Sequence, residues 1–213
     1  MIVELTTYSL RPRCVPKVEQ MFANAYEQRR QQSTLTGSFH TEFGPLNQII
    51  QIFQYASLAE RERVAAAVAA QGTWPPPMGD CLVGMHSEIL RPTAISPELK
   101  PGKLGPYFEL RRYSYPLGGL EKMMSVWQRA MPARDALGSP VAAIWTTEIG
   151  TLNTLTHIWA YGSLEQREEI RKKVRASGKW PPYLLDIAEG GTGYEVQAQE
   201  NKIMLPATFS PLQ

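Results

Sequence analysis

The strongest constraint on this 213-residue chain is that it contains itself twice. Residues 41–76 read TEFGPLNQIIQIFQYASLAERERVAAAVAAQGTWPP, and residues 147–182 read TEIGTLNTLTHIWAYGSLEQREEIRKKVRASGKWPP. At a constant offset and without gaps, about half of these positions are identical. With one residue of slippage, Glu4-Leu5-x-x-Tyr8-Ser9 recurs as Glu109-Leu110-x-x-Tyr113-Ser114. A solenoid repeats every 20–50 residues or so, so this longer unit is a duplicated domain of about a hundred residues. The expected domains are 1–92 and 106–206. The stretch between them, roughly 92–106, holds four prolines and two glycines, as a boundary should.

Each copy carries the same order of local signals. Val3 to Tyr8 and Phe108 to Tyr113 alternate as half-buried strands do. Val15, Val18, Phe22 and Ala25 share one helical face, as do Leu120, Met123, Met124 and Trp127. Gly44-Pro45 and Gly150-Thr151 mark tight turns between two strands, the second strands running Asn47 to Tyr55 and Asn153 to Tyr161. Ser57-x-x-Glu60 and Ser163-x-x-Gln166 are capping boxes that open a second helix. Glu168/Lys172 and Glu169/Lys173 give the later helix a solvent face. Gly72 and Gly178 stand before Trp74-Pro-Pro and Trp180-Pro-Pro, where proline forbids continuation; these tryptophans read as helix-stop anchors. A last strand falls near 82–90 and near 193–204. The order is β-α-β-β-α-β, so the expected class is α+β: two tandem ferredoxin-like repeats. Helices cover one face of such a sheet. Two copies can cover the other face for each other, closing one pseudo-symmetric α/β barrel.

Charge and cysteine content narrow the function classes. A net charge of +2, with acids and bases intermixed, argues against a nucleic-acid partner. No window is apolar enough to span a membrane. Cys14 and Cys81 have no counterparts in the second repeat, so a disulfide is not expected. A strand-like Ile2-Val-Glu-Leu follows Met1, with no signal core or transit segment in view. Together these point to a reducing, cytoplasmic setting.

The chemistry concentrates on two strands of the second repeat. With a period of two, Asn153, Leu155, His157, Trp159 and Tyr161 share one face. The other face carries Thr154, Thr156, Ile158 and Ala160, small enough to lie under helices. Glu109, Arg111 and Tyr113 share a face of the earlier strand, as do Glu4, Thr6 and Tyr8. The expectation is that the polar-aromatic faces point into the barrel lumen. The candidate ligand-binding set is then Glu109, Arg111, Tyr113, Glu148, Asn153, His157, Trp159 and Tyr161. Arg111 would hold an anionic group and His157, the catalytic candidate, would move a proton. Each assignment has a structural rival. His157 can be a hydrogen-bonded core residue, Glu109 and Arg111 a buried ion pair, and Glu42 and Glu148 hairpin partners of Asn47 and Asn153.

The run Thr147-Glu148-Ile149-Gly150-x-Leu152-Asn153-x-x-x-His157-x-Trp159-x-Tyr161-x-Ser163-Leu164-x-x-Arg167 resembles the core signature of the NIPSNAP family. The opening Tyr107-Phe-Glu109-Leu110-Arg111-x-Tyr113 resembles the start of that domain. The resemblance covers the chain as two tandem domains and implies a dimeric α/β-barrel fold. The first copy departs from it: Gln51 stands for His157, Phe53 for Trp159 and Thr6 for Arg111. Any specific chemistry is therefore expected in repeat 2.

No glycine-rich phosphate or dinucleotide loop, metal-ligand spacing or nucleophile elbow is found, so no cofactor is expected. The leading expectation is cofactor-free binding of a small, partly apolar molecule in the barrel, with its transformation as the enzymatic variant of the same reading. One rival is a non-enzymatic interaction module with a packed lumen. Another, from fold analogy alone, is a haem-handling or cofactor-free oxygenase-like enzyme. Enzymatic activity and self-association are both left open.

Overall fold

The structure is a computed structural model and describes residues 1–138, 140–191 and 196–213. Repeat 1 comprises β1 (Ile2–Leu10), α1 (Val15–Arg29), β2 (Leu35–Phe43), β3 (Gln48–Tyr55), α2 (Leu58–Gln71) and β4 (Leu82–Pro92). Repeat 2 comprises β5 (Tyr107–Ser114), α3 (Gly119–Asp135), β6 (Val141–Ile149), β7 (Thr154–Tyr161), α4 (Leu164–Ala176), α5 (Pro182–Ala188) and β8 (Ala198–Pro206). The short α5 has no counterpart in the expected pattern.

The strands close into one barrel in the order β1-β3-β2-β8-β5-β7-β6-β4, every pairing antiparallel. Each repeat contributes a ferredoxin-like sheet, β4-β1-β3-β2 or β8-β5-β7-β6. The seams are β2 to β8, with Thr41 opposite Met204, and β4 to β6, with Leu90 opposite Thr147. Each repeat's second strand thus pairs with the other's fourth, and no sheet edge is left bare.

Local chemistry sets the elements. Ser57 accepts from the Glu60 amide at 3.2 Å, and Ser163 from the Gln166 amide at 3.1 Å. Glu60 and Gln166 reach back to the Ala56 and Gly162 amides, completing caps worth about 1 kcal/mol each. The hairpins turn through four residues. Gly44 and Gly150 open them at φ 99° and 134°, and Asn47 and Asn153 close them at φ 57° and 55°. Asparagine tolerates the left-handed region better than most residues, so Asn153 ends the turn and does not begin the strand.

Both strand faces are buried, one in the lumen and one under the helices. The lumen is filled by side chains including Leu5, Phe39, Ile52, Phe108, Leu110, Trp145, Ile158 and Met204. Leu99 from the connection between repeats and Leu212 from the C-terminal tail join that core. One region of the lumen is polar. There Arg112 bonds Glu88, Lys202 donates to Gln48 at 2.8 Å, and a cavity of about 170 Å³ remains. The outer faces meet the helices in two further clusters, around Phe22, Phe53 and Trp74 in repeat 1 and around Trp127, Trp159 and Tyr161 in repeat 2.

Two expectations are overturned. The first concerns orientation: the lumen takes the face of Ile158 and Ala160, whereas Leu155, Trp159 and Tyr161 pack toward the helices, with His157 against Trp127 of α3. An eight-stranded barrel is only just wide enough for side chains from all its strands. Modest residues therefore go inward from β7, and the large rings occupy the sheet–helix layer. The second concerns the cysteines: Cys14 and Cys81 are joined in a disulfide, with Cα atoms 5.6 Å apart. Pairing of β1 with β4 sets Leu10 opposite Leu82, which brings the residue before α1 to the one before β4. That geometry suits a bridge, and the case for a reducing compartment from unpaired thiols falls away. No helix among the described residues is long and apolar enough to cross a membrane.

Candidate functional site

A cavity of about 420 Å³ lies in repeat 2, between the outer face of the sheet and α3–α5. Strand β5 supplies Glu109, Arg111 and Tyr113, and β7 supplies His157, Trp159 and Tyr161. Arg134 of α3, Arg171, Val174 and Arg175 of α4, Trp180, Tyr183, Leu184 and, from the β8 side, Val196 and Gln199 complete the wall. The strand residues expected to line a site thus do meet around one cavity, on the opposite side of the sheet from the lumen. Glu148 and Asn153 stay apart. Glu148 is at the exposed hairpin, gripped by both arms of Arg91 from repeat 1 at 2.5 and 2.8 Å across the β4–β6 seam. That guanidinium holds its carboxyl below the usual range. Asn153 forms the turn described above.

Glu109 sits at the cavity floor with its side chain fully buried. It accepts from Arg167 at 2.6 and 3.1 Å, Arg111 at 2.9 Å, Asn201 at 2.9 Å and Tyr161 at 3.3 Å. Burial pushes the carboxyl up, but Arg167, Arg111 and Asn201 outweigh it and hold the group at about 2. Glu109 is an anion with its acceptor sites already filled, unsuited to acid–base work near neutrality.

His157 is 1% exposed. The Trp159 indole N–H donates to its Nδ1 at 2.6 Å, and the rings of Tyr113 and Trp127 meet it edge to face at 4.9 Å each. Its Nε2 has no partner among the described residues. Burial, and then Arg111, pushes its pKa well below 6.5, so the ring is neutral at physiological pH. The imidazole stands in its neutral form beside the arginines of the cavity. Trp180 stands against Trp127 at 4.9 Å and Trp159 at 5.8 Å, adding a wall beyond its expected role as a helix stop. Arg134 lies 4.0 Å above the Trp159 ring.

The duplication supplies an internal control. Glu4 of repeat 1 accepts from Arg61 at 2.5 Å, Ser87 at 2.8 Å and Tyr55 at 3.4 Å, while Arg29 covers Phe53 at 4.3 Å and reaches the Tyr55 hydroxyl. Glu109, Arg167, Tyr161 and Arg134 repeat this arrangement with Trp159 beneath the arginine. An assembly present in both copies is a frame. What differs is telling. Arg111, Arg171 and Arg175 stand where repeat 1 has Thr6, Ala65 and Ala69. Tyr8, Phe22 and Trp74 pack on one another at 4.8–5.0 Å in repeat 1, and all three are buried. Sequence reasoning missed Arg134, Arg171 and Arg175. The signal was present: Arg167, Arg171 and Val174 share one face of α4 at i, i+4 and i+7, opposite the one that carries Glu169 and Lys173.

The profile of the NIPSNAP family matches residues 3–97 and 108–211, two copies spanning nearly the whole chain. The chain belongs to the NIPSNAP family. It is 27% identical over 183 residues to NipSnap homolog 1 of Danio rerio, covering 84% of this chain and 63% of that relative's length. It is 27% identical over 216 residues to human NipSnap homolog 3A, covering 99% of this chain and 85% of the relative. Among solved structures, a putative monooxygenase from Lactobacillus acidophilus superposes with a TM-score of 0.64 at 15% identity, covering 97% of this chain and 94% of the other. An anthrone oxidase-like protein does so with 0.60 at 9%, covering 99% and 93%. These two likenesses establish a shared barrel fold.

Proposed function

We propose that this NIPSNAP protein binds a small molecule with a flat apolar body and an anionic end in the outer cavity of repeat 2. One observation carries the reading. Three arginines absent from repeat 1, Arg111, Arg171 and Arg175, converge on a cavity walled by Trp159 and Trp180. Cavities of this size with aromatic walls and a few converging polar groups are the usual form of ligand sites. Glu109 pairs with Arg111 at 2.9 Å and Arg171 at 3.5 Å as well as with Arg167 at 2.6 Å, so one carboxylate faces several guanidinium groups and positive charge is left in excess. The packed lumen fits the rival of an interaction module, but it does not account for the arginines on the other side of the sheet. The neighbours named as a monooxygenase and an oxidase-like protein lend this chain a fold and no reaction.

Calorimetric titration with naphthoate, against naphthalenemethanol as a neutral match, tests the proposal. Naphthoate should bind more tightly. Replacing Arg171→Ala together with Arg175→Ala, which restores the repeat 1 residues, should weaken it by about tenfold or more, with little effect on the neutral compound. Equal binding of the two compounds, or an unchanged naphthoate affinity in the variant, would refute it.

A further inference from the structure

We infer that His157 is a specificity-determining hydrogen-bond donor, held in its Nε2–H tautomer by Trp159 and directed at an oxygen of the ligand in the repeat 2 cavity. This rests on the ligand-binding reading above and adds the group that is recognised.

The tautomer follows from elementary chemistry. An indole N–H can only donate. With Trp159 donating to Nδ1 at 2.6 Å, that nitrogen must present its lone pair. A neutral imidazole then carries its proton on Nε2. That N–H lies on a cavity-lining side chain that is 1% exposed, with no partner among the described residues. An unpaired buried donor is costly, and such groups are normally satisfied. A ligand acceptor is the missing partner.

The charged surroundings agree. Arg111 on β5, Arg134 on α3 and Arg171 on α4 all disfavour a proton on the ring, against the opposing pull of Glu109 on β5. The same arginines attract an anion. The recognised group is therefore an oxyanion, a carboxylate or an enolate-type oxygen. Cationic groups and hydrocarbons lacking an acceptor oxygen are selected against. A neutral donor also keeps its proton through the physiological range, so recognition should not vary there. Trp159 is a positioning residue in this scheme: it fixes which nitrogen of His157 bears hydrogen.

The experiment uses the full chain with naphthoate as probe. Nitrogen NMR of the free protein should show His157 protonated on Nε2 and bare on Nδ1, without titration from about pH 5.5 to 8. Trp159→Phe keeps a ring under Arg134 but removes the donor; it should give a mixture of the two tautomers or onset of His157 titration. A Trp159 of merely structural role would leave the tautomer unchanged. His157→Phe should weaken naphthoate by about tenfold or more, while naphthalenemethanol loses less. An Nδ1–H tautomer in the wild type, an unchanged tautomer in Trp159→Phe, or naphthoate binding indifferent to His157→Phe each overturns the inference. Failure of naphthoate to bind the wild type at all overturns the ligand assignment together with the site reading, a result distinct from a wrong tautomer in the free protein.

Discussion

Replacing Glu109→Gln separates frame from ligand site. The side chain is fully buried and receives Arg167, Arg111, Asn201 and Tyr161. Glutamine has the same shape but presents an amide N–H₂ toward guanidinium donors and removes the carboxylate that the described residues place among them. The carboxyl sits at about 2 against an ordinary 4.5. At about 1.4 kcal/mol for each tenfold in acidity, its ionised form stabilises the fold by about 3 kcal/mol at neutral pH. Removing one partner of a buried pair costs a similar amount, about 3–5 kcal/mol. For a chain of this length, the corresponding fall in Tm is about 6–20 °C. The direction with pH is fixed. A carboxyl held low contributes fully above about 4.5, and the contribution disappears as pH falls through about 2. Urea unfolding should therefore show a full gap between wild type and variant at neutral pH, closing progressively in acid. Glu4→Gln, which removes the equivalent acceptor of Arg61, Ser87 and Tyr55, should also destabilise while leaving naphthoate binding intact. If Glu109→Gln kept the wild-type Tm and lost only ligand binding, Glu109 would be a ligand contact and the frame argument would be wrong.

Two further outcomes are expected. Replacing Cys14→Ser with Cys81→Ser opens a loop with 67 residues of separation; chain entropy sets the loss at up to about 4 kcal/mol, visible as a lower urea midpoint. Two titratable thiols in the oxidised native protein would contradict the bridge. For His157, held neutral by burial, the unfolded chain takes up a proton below about pH 6.5 before the folded one does. Stability should thus fall by up to about 1.4 kcal/mol per pH unit below that point, and His157→Gln should remove that part of the slope. Identical slopes in the two proteins would show that His157 is not buried in this way.

The order of elements could be read from the chain because local signals and duplication agreed. Ser57 and Ser163 each mark a helix start, and the two copies corroborate one another. Which face of β7 meets the lumen could not be read the same way. Alternation separates buried from exposed faces, and Thr154 to Tyr161 is buried on both. The remaining criterion was size, and it pointed the wrong way because lumen width depends on barrel closure, a property of eight strands together. His157, Trp159 and Tyr161 were still grouped correctly, since residues two apart on a strand share a face whichever face it is. Glu148 was singled out from its place in the repeat, yet its partner Arg91 lies in the other copy, across a seam no local pattern reveals. The cysteine pair was hidden for a similar reason, being joined only once β1 and β4 lie side by side.

The repeats are tied by the two seams, the Arg91–Glu148 pair and a shared lumen core, while each sheet–helix layer is built mainly from one repeat, with Phe209 of the C-terminal tail joining the first. In a homodimer of separate single domains, every substitution is imposed on both halves at once. Fusion lifts that obligation. One half of this chain can hold its layer closed around Phe22 and Trp74 and serve as ballast for the barrel. The other is then free to exchange packing for an open, charged hollow, because the stability it forgoes is supplied by a neighbour that need not share the change.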